Sequence, residues 1–161
     1  EALPEKREHL LDVLGCENEV LSTDEGLAKD TALSLASMRN PHTWYPLARS
    51  EKRKVILHVG PTNSGKTHGA LETLKSAQSG VYLGPLRLLA HEVFDRLNQA
   101  GVPTSLVTGQ LRKEIEGAQH KSCTVEMADI NTRVESAVLD EIQMISDPDR
   151  GWAWARALLG V

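Results

Sequence analysis

Gly60-Pro61-Thr62-Asn63-Ser64-Gly65-Lys66-Thr67 matches the pattern G-x-x-x-x-G-K-[ST] without a gap. Its glycines let the chain curl until consecutive backbone N–H groups point inward at an anion. A helix that follows such a loop presents the positive end of its dipole to the same anion. The pattern assigns all eight residues to a nucleotide's phosphates, with Lys66 reaching the β- and γ-phosphates of ATP and the Thr67 hydroxyl ligating Mg²⁺. Chance alone produces such an octamer in roughly one chain in a few hundred. The flanks narrow it further. Val55-Ile56-Leu57-His58-Val59 is a compact apolar run, expected as a parallel strand buried on both faces, and Thr67 to Ala77 reads as a helix.

Downstream, strand and helix signals alternate. Val81-Tyr82-Leu83 is a short strand broken by Gly84-Pro85. Leu86 to Ala100 is amphipathic, with Leu89, Val93, Phe94 and Leu97 on one face and Gly101 at its end. Ser105-Leu106-Val107, Ser122-Cys123-Thr124-Val125 and Ala137-Val138-Leu139 are further strands. The alternation predicts a parallel α/β sheet. Its last strand runs straight into Asp140-Glu141, where a carboxylate at a strand tip can share the Mg²⁺ of Thr67 and the next carboxylate can orient and deprotonate an attacking water. Asp140 is accordingly expected on the metal, and Glu141 as a catalytic group beside Lys66. Gln143 reads two ways, as a surface glutamine or as a sensor of the γ-phosphate.

Upstream of residue 50 the character changes. Residues 4–14 (PEKREHLLDVL) predict a short helix with Pro4 in its first turn and Gly15 past its end. Ser22 and Glu25 form a capping-box pattern opening a second helix that Asn40-Pro41 stops. The division expected is a helical segment over 1–40, a proline-punctuated connector over 41–53, and the α/β domain over 54–161. Trp44 and Tyr45 suit either stacking on adenine or packing of the connector on the sheet, and Trp152 and Trp154 read as packing anchors. His58 and His91 read as structural, and Arg49, Lys52, Arg53 and Lys54 as a solvated approach to the first strand.

The bulk composition argues for little by itself. A formal charge of −4 and a pI near 5.9 give no global case for nucleic-acid binding, so any such contact must come from local loops. Cys16 and Cys123 form no C-x-x-C pair, which indicates neither a zinc site nor a disulfide framework and suits a reducing compartment. No apolar run approaches the roughly 20 residues of a membrane span, and no membrane partner is expected. The sequence starts at Glu1 with no signal or Arg-rich transit segment.

The order Gly60–Thr67, Gly84-Pro85-Leu86-Arg87-Leu88-Leu89-Ala90, Thr108-Gly109, Asp140-Glu141-Ile142-Gln143 resembles superfamily-two helicases. The blocks GPTNSGKT, SGVYLGPLRLLAHEVF, GVPTSLVTG, SCTVEM, DEIQMI and DPDRGWAWARALLG, with Trp44 to Arg49 in the connector, resemble one family more closely: the mitochondrial Suv-type ATP-dependent RNA helicases. The likeness runs from about Asn40 to the last residue. It implies a RecA-like first motor domain, incomplete and preceded by a small helical segment, with ATP hydrolysis coupled to RNA unwinding. It also implies a mitochondrial matrix location and RNA turnover beside an exoribonuclease. On the residues alone, Gly84-Pro85 and Thr108-Gly109 read as plain strand-ending turns. The resemblance instead implies that Pro85, Arg87, Thr108, Gly109 and Thr124 grip the RNA backbone, contacts that position a strand without reading its sequence. It further implies a second RecA-like domain carrying arginine fingers, which the 161 residues do not supply, so the chain alone is expected to bind nucleotide without unwinding. The alternative of a different class is a non-catalytic P-loop scaffold within a larger assembly.

Overall fold

The computed structural model describes residues 52–61 and 64–161, with Tyr45, Ala48 and Ser50 before them. The helices expected within 1–40 and most of the connector, Trp44 included, lie outside the described residues. Thr43–Val161 form one compact unit. Its elements are α1 (Lys66–Ser76), β1 (Gly80–Gly84), α2 (Arg87–Gln99), β2 (Thr104–Val107), β3 (Arg112–Lys113), β4 (His120–Thr124), β5 (Ser136–Leu139) and α3 (Gly151–Gly160), with 3₁₀ turns at Val125–Met127 and Ile142–Ser146.

The sheet runs β3-β2-β4-β1-β5. β1 lies between β4 and β5, parallel to both, with Leu83 opposite Cys123 on one side and Leu139 on the other. β2 is parallel to β4, and β3 alone is antiparallel, a two-residue edge strand that the sequence did not announce. The α/β fold expected from the alternating pattern is present, with helices on both faces. Val81 and Leu83 of β1 join Val107, Cys123 and Val125 against Ala153, Trp154 and Ala157 of α3. Tyr82, from the opposite side of the same strand, packs with Leu71 and Leu74 of α1 and Val93 and Leu97 of α2. A strand covered on both faces needs an unbroken apolar run, and all five residues of β1 are buried.

The local signals explain where elements stop. Gly101, at φ 81, ends α2 in a Schellman arrangement: its N–H donates to Asn98 O, and the Val102 N–H donates to Leu97 O at 2.9 Å. On the buried face of α2, Ala90, Val93, Phe94 and Leu97 are covered, and Leu89 is half-buried. Two buried polar side chains fasten helices to the sheet. His120 Nε2 lies 3.0 Å from Leu74 O, and the Ser122 hydroxyl donates to Ala90 O at 2.6 Å. Burial pushes the Cys123 thiol up to about 11.

One expected element is absent. Val55–Val59 forms no strand; it is exposed, with Val55 at 76% and Val59 at 81%. Apolar character says that a segment should be buried but not against what, and a two-sided strand needs hydrogen-bonding neighbours. The five strands pair among themselves, and this run stands outside their order. Smaller corrections follow the same logic. Val125, expected at the end of a strand, instead opens the 3₁₀ turn. His58 is exposed rather than structural. Arg53 is not merely solvated, since it donates to Leu158 O at the end of α3. Trp154 is fully buried while Trp152 is 57% exposed, so one of the two expected anchors holds. The Tyr45 ring lies against Gly160 at the end of α3.

Candidate functional site

Four parallel strands deliver their carboxyl ends to one edge of the sheet, the edge at which α/β proteins place ligands. β1 leads into Pro85, β2 into Thr108, β4 into the Val125–Met127 turn, and β5 into Asp140.

The phosphate loop adjoins α1. Gly65 occupies the left-handed region at φ 81 and precedes the first helical residue, Lys66. No side chain caps that end, and no acidic residue stands in the first turn, so its N–H groups and dipole are free for an anion. A Cβ on Gly60 would come within 2.8 Å of Ser64 Oγ, which would have to turn aside. The Lys66 ammonium donates to Gly60 O at 2.7 Å and to Pro61 O. Those carbonyls are neutral acceptors, and phosphate oxygens form stronger, charge-assisted bonds to the same cation. Thr62 and Asn63 of the motif lie outside the described residues, and Thr67 is half-buried.

Asp140 is held from several directions. Its N–H donates to Leu83 O at 2.9 Å, Tyr82 Oη donates to Oδ2 at 2.8 Å, and the Glu141 N–H donates to Oδ1 at 3.0 Å. Burial, with Asp140 next, drives the Tyr82 phenol far up, so it stays a donor at every ordinary pH. The Trp154 indole N–H donates to the Asp140 carbonyl at 2.9 Å. Glu141 follows at φ 50, a left-handed backbone that a residue with a Cβ adopts only when its surroundings impose it. It begins the Ile142–Ser146 turn, and the Gln143 amide donates to Glu141 Oε2. Thr67 and Asp140 offer hard oxygen donors, the chemistry Mg²⁺ takes when phosphates and water complete its octahedron. Among the described residues no group of three His, Cys, Asp or Glu gathers for a metal, and no hydrogen bond joins Lys66 or Thr67 to Asp140 or Glu141. The two halves are related through α1, which packs on β1 and β5.

Beside this edge is a cleft of about 590 Å³. Pro85, Arg87, Gly109 and Thr124, four of the five residues that the resemblance put on RNA, all line it, so three separate loops meet there. Thr108 does not. It is buried, and its hydroxyl donates to Leu111 O and accepts from the Leu111 N–H, closing the turn that presents Gly109. The cleft also holds groups that the sequence did not single out. Leu86, Leu88 and Met127 give it apolar lips, and Glu126 and Arg150 a charged wall. The Arg150 Nε and Nη2 donate to Glu126 Oε1 at 2.9 and 2.7 Å, and Nη2 donates to Pro85 O at 2.7 Å. Its guanidinium carbon lies 5.4 Å from the centre of the Trp154 ring. The only sequence signal for this arrangement was local: Asp147, whose carboxylate accepts the Asp149 and Arg150 N–H groups and closes the turn before α3.

Residues 41–161 match the family model for the DEXQ-box helicase domain of Suv3, the D-E-x-Q being Asp140-Glu141-Ile142-Gln143 here. The chain is 57% identical over 141 residues to the ATP-dependent RNA helicase SUV3, mitochondrial, of Oryza sativa subsp. japonica, covering 88% of this chain and 24% of that protein. Against the ATP-dependent RNA helicase SUPV3L1, mitochondrial, of Homo sapiens it is 56% identical over 137 residues, covering 83% of this chain and 17% of that protein. Against the DExH-box ATP-dependent RNA helicase DExH16, mitochondrial, of Arabidopsis thaliana it is 56% identical over 136 residues, covering 84% and 24%. The chain thus spans about a quarter or less of the length of these curated relatives.

Proposed function

We propose, for a chain that belongs to the Suv3 family of DEXQ-box helicases, that it supplies the nucleotide-binding part of an ATP-dependent RNA helicase acting in mitochondrial RNA turnover, with an exoribonuclease as partner. The observation that supports this most is the convergence of Pro85, Arg87, Gly109 and Thr124 on one cleft, at the sheet edge where β5 delivers Asp140 and Glu141. The relatives' names, mitochondrial RNA helicases throughout, support the substrate and the compartment.

In this reading the Gly60–Thr67 loop and the first turn of α1 bind the ATP phosphates through backbone N–H groups, and Lys66 exchanges its loop carbonyls for phosphate oxygens. Thr67 and Asp140 hold Mg²⁺, which when bound neutralises charge on the β- and γ-phosphates. Tyr82 fixes the Asp140 carboxylate. Glu141 orients the attacking water and takes its proton, and Gln143 holds the Glu141 carboxylate in place. An RNA backbone lies in the cleft, its phosphates against Arg87 and the Gly109 N–H, its bases against apolar lips that read no sequence.

The test is titration calorimetry of Mg-ATP on the natural full-length protein and on Lys66→Ala, paired with ultraviolet crosslinking of single-stranded RNA. Loss of one charge-assisted contact is expected to weaken nucleotide binding by about 10- to 100-fold. Crosslinks are expected on 85–88, 109 and 124–127. Equal affinity in the two proteins sinks the nucleotide assignment, and crosslinks confined to residues 1–39 sink the placement of RNA.

A further inference from the structure

Arg150 lines the cleft, and it reaches the carboxylate edge through Trp154. The guanidinium joins Pro85 O, at the end of β1, to Glu126, after β4, so two walls of the cleft are tied by one side chain. The same group lies on the face of Trp154, which is completely buried and donates its N–H to the Asp140 carbonyl. That carbonyl belongs to the peptide between Asp140 and Glu141, the plane that sets the left-handed φ of Glu141. The backbone around Arg150 is fixed as well. Asp147 Oδ1 accepts the N–H of Arg150 at 2.8 Å, and a Cβ on Gly151 would sit 2.4 Å from Ile145 O, so α3 starts hard against the turn that follows Glu141.

We propose that Arg150 is a positioning residue that links the Asp140–Glu141 edge to the cleft through Trp154 and α3, so that nucleotide binding and RNA binding reinforce each other within this domain. The proposal rests on the reading that nucleotide and RNA occupy these two places. An ordinary exposed ion pair contributes little, and any role confined to stability would weaken both ligands alike or neither. Coupling is different, because two ligands that bias one element change each other's affinity by the same factor. The fork of an arginine is also required. A lysine keeps the charge but cannot reach Glu126 and Pro85 together while stacking on an indole.

The experiment uses the natural full-length protein and measures binding of a fluorescent single-stranded oligouridylate with and without a non-hydrolysable Mg-ATP analogue. The parent protein is expected to bind RNA more tightly with the analogue, by a factor in the range of roughly 5–150. Arg150→Lys and Trp154→Phe are expected to bind each ligand alone within about threefold of the parent, while that factor collapses toward one. The RNA KM for stimulated hydrolysis at saturating Mg-ATP should rise by that same factor, while basal hydrolysis without RNA stays parental. Arg150 is part-exposed, so Arg150→Lys carries the test if Trp154→Phe does not fold. A parental coupling factor in Arg150→Lys overturns the proposal. So does an equal loss of RNA affinity with and without nucleotide, which makes Arg150 a direct contact. Arg87→Ala separates the two levels: parental RNA affinity there refutes the cleft as the RNA site, whereas loss of affinity there with intact coupling in Arg150→Lys refutes only the link.

Discussion

Glu141 combines an exposed carboxylate with a backbone, φ 50, that few non-glycine residues adopt. The strain places the side chain past the end of β5, beside Asp140 and within reach of the Gln143 amide. Glu141→Gln keeps the shape and removes the base. We expect nucleotide affinity to stay near the parental value and single-turnover hydrolysis to fall by about 10²- to 10⁴-fold, measured on the full-length protein. Parental hydrolysis by that variant removes Glu141 from the chemistry. Both carboxylates were legible in the sequence because they follow a short apolar strand, a local signal. Tyr82 was not, since its bond to Asp140 spans 58 residues and nothing in its neighbourhood marks that oxygen as a donor to a carboxylate. Gln143 had been readable either as a surface residue or as a phosphate sensor, and its amide on Glu141 gives it a use that neither reading contained.

At the scale of elements, α3 shows what periodicity reports and what it omits. Its apolar content and the tryptophan pair pointed to packing, and Ala153, Trp154 and Ala157 are buried in the sheet's core. The close approach at Gly151 has no such signature. A methyl group there would strike the Ile145 carbonyl, which is backbone and cannot swing aside. Gly151→Ala is therefore expected to cost about 1–3 kcal/mol by strain, read as a lowered thermal midpoint. Trp152→Ala, at an exposed position on the same helix, is expected to stay within about 0.5 kcal/mol. Equal effects at the two sites contradict this account of α3. The same distinction explains the rest of the fold. β1, α2, β2, β4 and β5 carry their own runs and stops and were found within a residue or two. β3 has only Arg112 and Lys113, both exposed, so only pairing defines it. Val55–Val59 carries a strong strand signal, yet hydrophobicity names no neighbour, and no ladder forms.

For the whole molecule, charge sets the terms of RNA association. The net charge of −4 supplies no general attraction, and the cleft offers an RNA backbone Arg87, since the Arg150 guanidinium is engaged by Glu126 and Pro85 O. With a slope of about −0.7 per neutralised phosphate on a single strand, RNA affinity of the 161-residue chain is expected to fall with log salt at a slope no steeper than about −2. A much steeper slope, measured by anisotropy across a salt series, means that another surface carries the RNA. The exposed Val55–Val59 run has a consequence of a different kind. Branched side chains at 76% and 81% exposure flank backbone N–H and C=O groups outside any ladder, in a stretch of five residues without an acidic or proline interruption. Short, apolar, uncharged segments with backbone outside a ladder are open to pairing with strands from other molecules, which is how cross-β fibrils grow. Among the described residues, the run that leads into the phosphate loop is thus also a place open to aggregation, and the like charges of Lys52 and Lys54, immediately before it, oppose the approach of other copies.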